Sequence, residues 1–162
     1  MTEAVTEQHL VDFVLEEAQT LAAGAFDGWV QLFDHDGCYW VPLDGDRQPD
    51  PVHHASLAYE DRLLLAMRVE RLKSTRAYSL HPGVRGMHVL QQPRVESVDH
   101  AGNAYRLRTH FLYTETRGER QTVLAGVWRH QLRNTPAGLK IRLKRVDLLN
   151  ASAAHEAIQL FP

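Results

Sequence analysis

The side chains in this sequence that could do chemistry are its ten histidines, its one cysteine, and a few charged groups set among apolar ones. His53 and His54 are adjacent, so a regular helix or strand cannot turn both toward one metal. No His-x-x-x-His or Cys-x-x-Cys pair occurs, although zinc sites and iron–sulfur clusters draw their ligands from such groupings. No Gly-x-Ser-x-Gly elbow presents a serine nucleophile. Cys38 stands in the aromatic run "CYWVPL", where a packed thiol is expected. His88 and His110 fall on predicted strands. Either could face an enclosed interior and, beside a carboxylate, act as a general base; the alternative for both is a structural or surface imidazole.

Two patterns of charge are sharper than these single residues. In "ASLAYEDRLLLAMRVERLKS", read as one helix, Leu57, Ala58, Leu65, Val69 and Leu72 form an apolar stripe with Asp61 in its middle. A carboxylate buried there needs an arginine or several backbone donors, and Arg145 is a candidate partner. Otherwise Asp61 lies at a wet helix edge. In "LKIRLKRVDLLN", alternation puts Leu139, Ile141 and Leu143 on one face with Arg145 and Asp147, and puts Lys144 on the other with Val146 and Leu148. The apolar face therefore changes sides. A bulge near Leu143 to Arg145 would produce that change. Arg145 and Asp147 would then bridge each other, tie to Asp61 and Arg62, or reach across a subunit boundary.

The elements that must position these groups divide the chain into two halves without a linker, and residues 1–162 are read as a single domain. From Thr6 the residues Leu10, Phe13, Val14, Ala18 and Leu21 recur at helical spacing until Gly24. A short helix follows in "AFDGWVQLF", then a turn at "DHDG" and the strand "CYWVPL", a polar loop "DGDRQPDPVHH", and the long helix described above. Segments 85–98, 104–116, 120–133 and 139–149 are rich in β-branched and aromatic residues and are separated by "DHAGN", "TRGE" and "NTPAG", which predict hairpins. Helices followed by a meander imply an α+β domain whose curved antiparallel sheet wraps around the helices, with Pro93 and Gly126 as bulge sites.

Composition narrows the function. Among 162 residues, 44% are hydrophobic and 23% charged, and the formal net charge is -2, so nothing favours nucleic acid or an anionic membrane as partner. No stretch approaches the roughly 20 apolar residues of a membrane helix. The start lacks a secretory pattern, and the expected compartment is the cytoplasm.

Four separated segments carry a resemblance: "FVLEEAQTLAAGAFDGWVQLFDHDGCYWVPL", "SLAYEDRLLLAMRVERL", "LRTHFLYTETRGERQTVLAGVWRHQLR" and "LKIRLKRVDLLN". In order and spacing they resemble the β (small) subunit of bacterial aromatic-ring-hydroxylating dioxygenases. Tyr59-x-Asp61-Arg62 and Lys144-Arg145-Val146-Asp147-Leu148 are the most specific signals. The stretch around Arg85 departs from the family's usual pattern at Gly83, Val84, Met87 and Gln91-Gln92. The resemblance implies a cone-shaped nuclear-transport-factor-2-like (SnoaL-like) fold. It also implies a hexamer of three α and three β subunits, with the Rieske [2Fe-2S] cluster and mononuclear iron on a separate catalytic α subunit and no cofactor, metal or active site on this chain. Asp61, Arg62, Arg85, Arg145 and Asp147 become structural or interface residues. The alternative is a stand-alone cone-fold dehydratase, isomerase or hydrolase using His88 or His110 with an aspartate. Strands 104–116 and 120–133 carry apolar residues on both faces, which calls for two covers: the chain's own helices and neighbouring subunits.

Overall fold

The computed structural model describes residues 3–78, 83–151 and 158–162, with the side chains of residues 75–78 left aside. Helix α1, Glu7–Ala22, begins at Thr6, whose hydroxyl accepts from the His9 amide while the Thr6 amide donates to the His9 ring, and it gives way at Gly24 with φ 69°. Its buried face is Leu10, Val11, Val14, Ala18 and Leu21, with Glu17 among them. Helix α2, Phe26–Gln31, buries Phe26, Trp29 and Val30.

Strand β1, Phe33–Pro42, runs through the predicted turn "DHDG". The chain stays extended because that stretch is a register irregularity between Phe33 and Cys38 against the last strand. Gly37 is required there, since a Cβ would lie 2.5 Å from the Ile141 carbonyl oxygen. A single 3₁₀ turn, Gly45–Arg47, follows in the polar loop.

The long helix predicted from Ala55 is two elements: strand β2, Ser56–Asp61, and helix α3, Arg62–Tyr78. Alternation of half-buried and exposed residues in "SLAYED", paired antiparallel with β1, outweighs the helical spacing of Leu57 and Ala58. Only Leu65, Val69 and, partly, Leu72 of the expected stripe face the core from α3. Asp61 does not enter that stripe and does not meet Arg145. It is exposed at the start of α3 and accepts from the Leu64 amide at 2.9 Å. This is an N-cap, so Asp61→Ala is expected to cost about 1 kcal/mol, measured by urea unfolding. Arg62 donates to the Gln31 side chain.

Strands β3 (Arg85–Leu90), β4 (Arg94–Asp99), β5 (Ala104–Arg117), β6 (Arg120–Thr135) and β7 (Gly138–Leu148) complete one sheet in the order β2-β1-β7-β6-β5-β3, with β4 also on β5. Every pairing is antiparallel except β1 with β7. The expected bulge at Pro93 is a break instead: β3 and β4 lie end to end along β5, and the Gln91 amide donates to the His110 carbonyl. Proline supplies no amide to continue the ladder. Gly126 is not a bulge either, because it stays in register with Phe111 and Leu148. Its lack of a Cβ permits close strand packing: a Cβ would sit 2.4 Å from the Asp147 carbonyl oxygen.

The face change in β7 is real, and its bulge lies just before the predicted place. Leu132 pairs with Ile141 and Gln131 with Leu143, so Arg142 is the extra residue. Ile141 is buried before it; Lys144, Val146 and Leu148 are buried after it. The inner face of the sheet packs on α1, α2 and α3, and residues 158–162 return to the same core through Leu160 and Phe161.

Candidate functional site

The inner and outer faces of the sheet carry different chemistry. On the inner face, Glu17 of α1, Lys144 of β7 and His130 of β6 are all fully buried. Glu17 Oε1 accepts from Lys144 Nζ at 2.6 Å and from Trp29 Nε1 at 2.9 Å, while Oε2 meets His130 Nε2 at 2.6 Å. Lys144 Nζ also stands over the Trp128 ring, 3.4 Å from its centroid. Burial by itself would raise the pKa of Glu17, but Lys144 and His130, by attraction and hydrogen bonding, hold it well below the usual carboxylate range. Burial lowers the pKa of Lys144, opposed by Glu17. The arrangement is a helix-to-sheet tie centred on the Glu17 carboxylate, with His130 Nδ1 left without a hydrogen-bond partner among the described residues.

Of the two candidate histidines, His88 does face inward, and its ring lies 4.6 Å from both Tyr113 and Trp128. Neither ring nitrogen has a partner in good hydrogen-bond geometry, and no carboxylate is bonded to it. Burial, and then the charge of Lys144, push its pKa down to about 3. An imidazole held neutral in this way is a weak base at pH 7. His110 does not face the interior: it is exposed on the outer face, one strand position from Phe111, so the two imidazoles cannot serve one site. Because the folded pKa of His88 lies below the unfolded value of about 6.5, its neutral form contributes stability above that pH. The contribution is lost as pH falls toward 3. His88→Leu is expected to flatten the loss of stability between about pH 6.5 and pH 4, followed by urea midpoints at each pH.

Cys38 is half-buried, and burial pushes its thiol up to about 11, the packed thiol expected from its aromatic surroundings rather than an activated nucleophile. His53 bonds to Asp50 in the exposed loop.

On the outer face, register aligns Arg94, Arg108, Arg129 and Arg145 across β4, β5, β6 and β7 in one row. Asp147 binds Arg129 Nε at 2.8 Å and Arg145 Nε at 2.7 Å, and Glu96 meets Arg108 at 3.4 Å. Arg145 further donates to the Gly45 carbonyl and stacks on Trp40, 4.4 Å from the ring centroid. The predicted bridge between Arg145 and Asp147 therefore exists; its third member is Arg129, not Asp61 or Arg62. Arg85 is exposed at the start of β3, opposite Thr116; Pro82, which precedes it, lies outside the described residues. Beside the arginine row a groove of about 460 Å3 runs between Val89, Leu112, Val127, Leu148 and Leu149, with His110 and Arg129 on its wall. Met87, Val89, Leu112 and Val123 each leave more than half of their surface exposed.

The curved sheet thus has a buried charged cluster on its inner face and, on its outer face, exposed apolar side chains beside the arginine row. The family model described as "Ring hydroxylating beta subunit" matches residues 16–154. The chain belongs to this family of β subunits. Among curated relatives, the small subunit of 2-halobenzoate 1,2-dioxygenase of Burkholderia cepacia is 28% identical over 156 residues, covering 94% of this chain and 93% of that protein. The β subunit of benzoate 1,2-dioxygenase of Acinetobacter baylyi is 28% identical over 103 residues, covering 61% of each. The solved β subunit of benzoate 1,2-dioxygenase from Burkholderia mallei superposes with a TM-score of 0.77 at 24% identity, covering 95% of this chain and 97% of that one. This likeness shows the cone-shaped α+β fold expected from the sequence.

The sequence reading missed the buried cluster of the β subunit. Two signals were present. Glu17 falls between Leu10, Val14, Ala18 and Leu21 on the apolar face of α1, and Lys144 shares parity with Val146 and Leu148. Each alone looks like a long charged side chain at a helix or strand edge; only their 2.6 Å contact explains both.

Proposed function

We propose that this β subunit supports a separate catalytic α subunit and has no active site of its own. In this reading three copies associate with one another and with three α subunits, and the Rieske [2Fe-2S] cluster and mononuclear iron that activate dioxygen belong to α. The observation that carries the reading is the contrast between the two faces. Inside, Lys144, His130 and Trp29 all pair with Glu17; outside, Met87, Val89, Leu112 and Val123 are exposed with none of the described residues covering them. Obligate interfaces use such apolar faces, rimmed by arginine. The single cysteine of the chain cannot provide the two that a Rieske cluster requires. Among the described residues, the group of three potential ligands is Asp34, His35 and Asp36. It does not suit a mononuclear iron site: His35 is turned onto Asp34, and Arg133 is paired to both aspartates.

Asp61 and Arg62 set the start of α3, Arg145 and Asp147 clamp the sheet to the loop at Gly45, and Arg85 is assigned to an intersubunit contact. Relatives named for 2-halobenzoate, toluate and benzoate support a benzoate-type acid as the substrate of the complex. The proposed compartment is the cytoplasm; no helix among the described residues is long and apolar enough to cross a membrane. The stand-alone alternative gains no support from His88, which has no carboxylate bonded to it, or from His110, which is exposed on the outer face.

The test is coexpression with a Rieske-type α subunit of a benzoate-type dioxygenase, followed by ultracentrifugation and an iron assay. The reading expects a complex with equal amounts of the two chains and all iron on α. Iron bound stoichiometrically to this chain alone, or a chain that neither self-associates nor binds α, overturns it.

A further inference from the structure

The outer face of the sheet carries more arginine than acid. Arg94, Arg108, Arg129 and Arg145 lie in the row and Arg106 stands on the same face of β5, against the carboxylates of Glu96, Asp147 and, on the wall of the groove, Asp46. Arg108 binds Glu96 and Arg129 binds Asp147, in both cases through Nε. That leaves the outer fork of each guanidinium, Nη1 with Nη2, without an acceptor among the described residues. The two forks are held side by side, because Arg108 and Arg129 are register partners and neighbouring strands lie about 5 Å apart. Such a fork takes up a carboxylate by two parallel hydrogen bonds. A surface that fits must offer two carboxylates at about that spacing, with an apolar side chain for the groove beside them.

The exposed side of α1 has this pattern. Asp12 and Glu16 are exposed one turn apart, and Leu15 beside them is 38% exposed. Residues four apart on a helix have Cβ atoms about 5–6 Å apart. The helix contains no lysine or arginine, and among the described residues neither carboxylate is in an ion pair; Asp12 accepts only from Gln8. We propose that α1 of one copy docks on the outer sheet of the next, with Asp12 and Glu16 on the forks of Arg108 and Arg129 and Leu15 in the groove beside Val127. The contact names the surfaces that meet when the subunit self-associates, and so rests on that reading. It is heterologous: each copy gives an acidic helix and receives one on its arginine row, the kind of contact from which a closed ring of three is built. A twofold dimer through the outer face would set one arginine row against another, like charge on like.

Sedimentation equilibrium of the full-length chain, with circular dichroism to check the fold, tests the contact. The unaltered chain should form trimers that loosen as salt is raised. Asp12→Arg, Glu16→Arg and Arg108→Glu should each weaken association by about tenfold or more. Combined with Arg108→Glu, one of the two helix reversals should restore most of the loss and the other should not, which fixes the carboxylate that meets Arg108. Should Arg108→Glu fail to fold beside Glu96, Arg108→Gln takes its place: with the arginine already gone, the helix reversal at its partner should then cost less than it does in the unaltered chain. Trimers that every reversal leaves intact, losses that no combination restores or reduces, or species that grow with concentration beyond three copies overturn the contact while leaving the supporting role standing. Reversals that spare the trimer but release a coexpressed α subunit overturn it too, and give the arginine row to α. A chain that is monomeric alone also overturns the contact, and coexpression with α then decides the supporting role separately.

Discussion

Replacing Glu17 by leucine should destabilise the fold by about 3–5 kcal/mol, the largest effect expected of any single substitution in the buried cluster. The cost does not come from losing one attraction. It comes from leaving Lys144 Nζ and His130 Nε2 inside the core after their shared acceptor is gone, with Trp29 Nε1 also unpaired. Lys144 retains the face of Trp128 and a longer contact with the Trp29 ring, neither of which replaces a carboxylate. Replacing both ends of the main pair, Glu17→Leu with Lys144→Met, removes the stranded ammonium, and the double variant should recover most of the loss. Urea unfolding of the two single variants and the double variant completes the cycle. Additive losses would mean that the two side chains do not act on each other. Acid provides a second check. Glu17 is held below its unfolded value of about 4.3, so its contribution is complete above that pH and is lost as pH falls below it. Glu17→Gln, which keeps the shape and loses the charge, should remove that part of the pH dependence.

The buried cluster also marks where the sequence was readable and where it was not. Strands β5, β6 and β7 were legible to within two residues because Gly, Asn and Pro punctuate them and their inner and outer residues alternate. The face change in β7 was legible for the same reason, since parity cannot be broken without an extra residue. β2 was not, because Leu57, Ala58, Leu65 and Val69 fit a helical stripe as well as they fit a strand joined to a helix. Only pairing with β1 decides between the two. Gly126 and Pro93 both looked like bulges; one is a close contact and the other a break, a distinction that depends on the neighbouring strand. The family motifs around Tyr59 and Lys144 identified the fold correctly. They did not reveal that Lys144 is buried, or that Phe161 closes the core, because each depends on a partner more than 100 residues away in the chain.

Asp147→Leu should impair assembly more than it alters the chemistry of any complex that still forms. Asp147 is 4% exposed and is the shared acceptor for Arg129 and Arg145 at the middle of the arginine row. Without it, the four arginines from Arg94 to Arg145 keep Glu96 as the row's other carboxylate partner, and like charges across neighbouring strands repel. Arg145 would keep Gly45 and Trp40, but Arg129 would lose the carboxylate that orients it beside the apolar groove. Arg129 is partly solvated, so the loss in the isolated chain should be about 2 kcal/mol, below that for Glu17. The larger effect belongs to the interface, where covering the row removes solvent from the unpaired guanidinium groups and the penalty rises. Sedimentation of coexpressed chains should therefore show mostly dissociated protein for Asp147→Leu and partial recovery for Asp147→Asn, which still accepts a hydrogen bond. Turnover per iron in the residual complex should stay near that of the unaltered protein. A variant that assembles fully but loses turnover would instead give Asp147 a role in the chemistry, and would remove the argument that Arg145 and Asp147 serve as a clamp where the sheet passes from its own core to its neighbours.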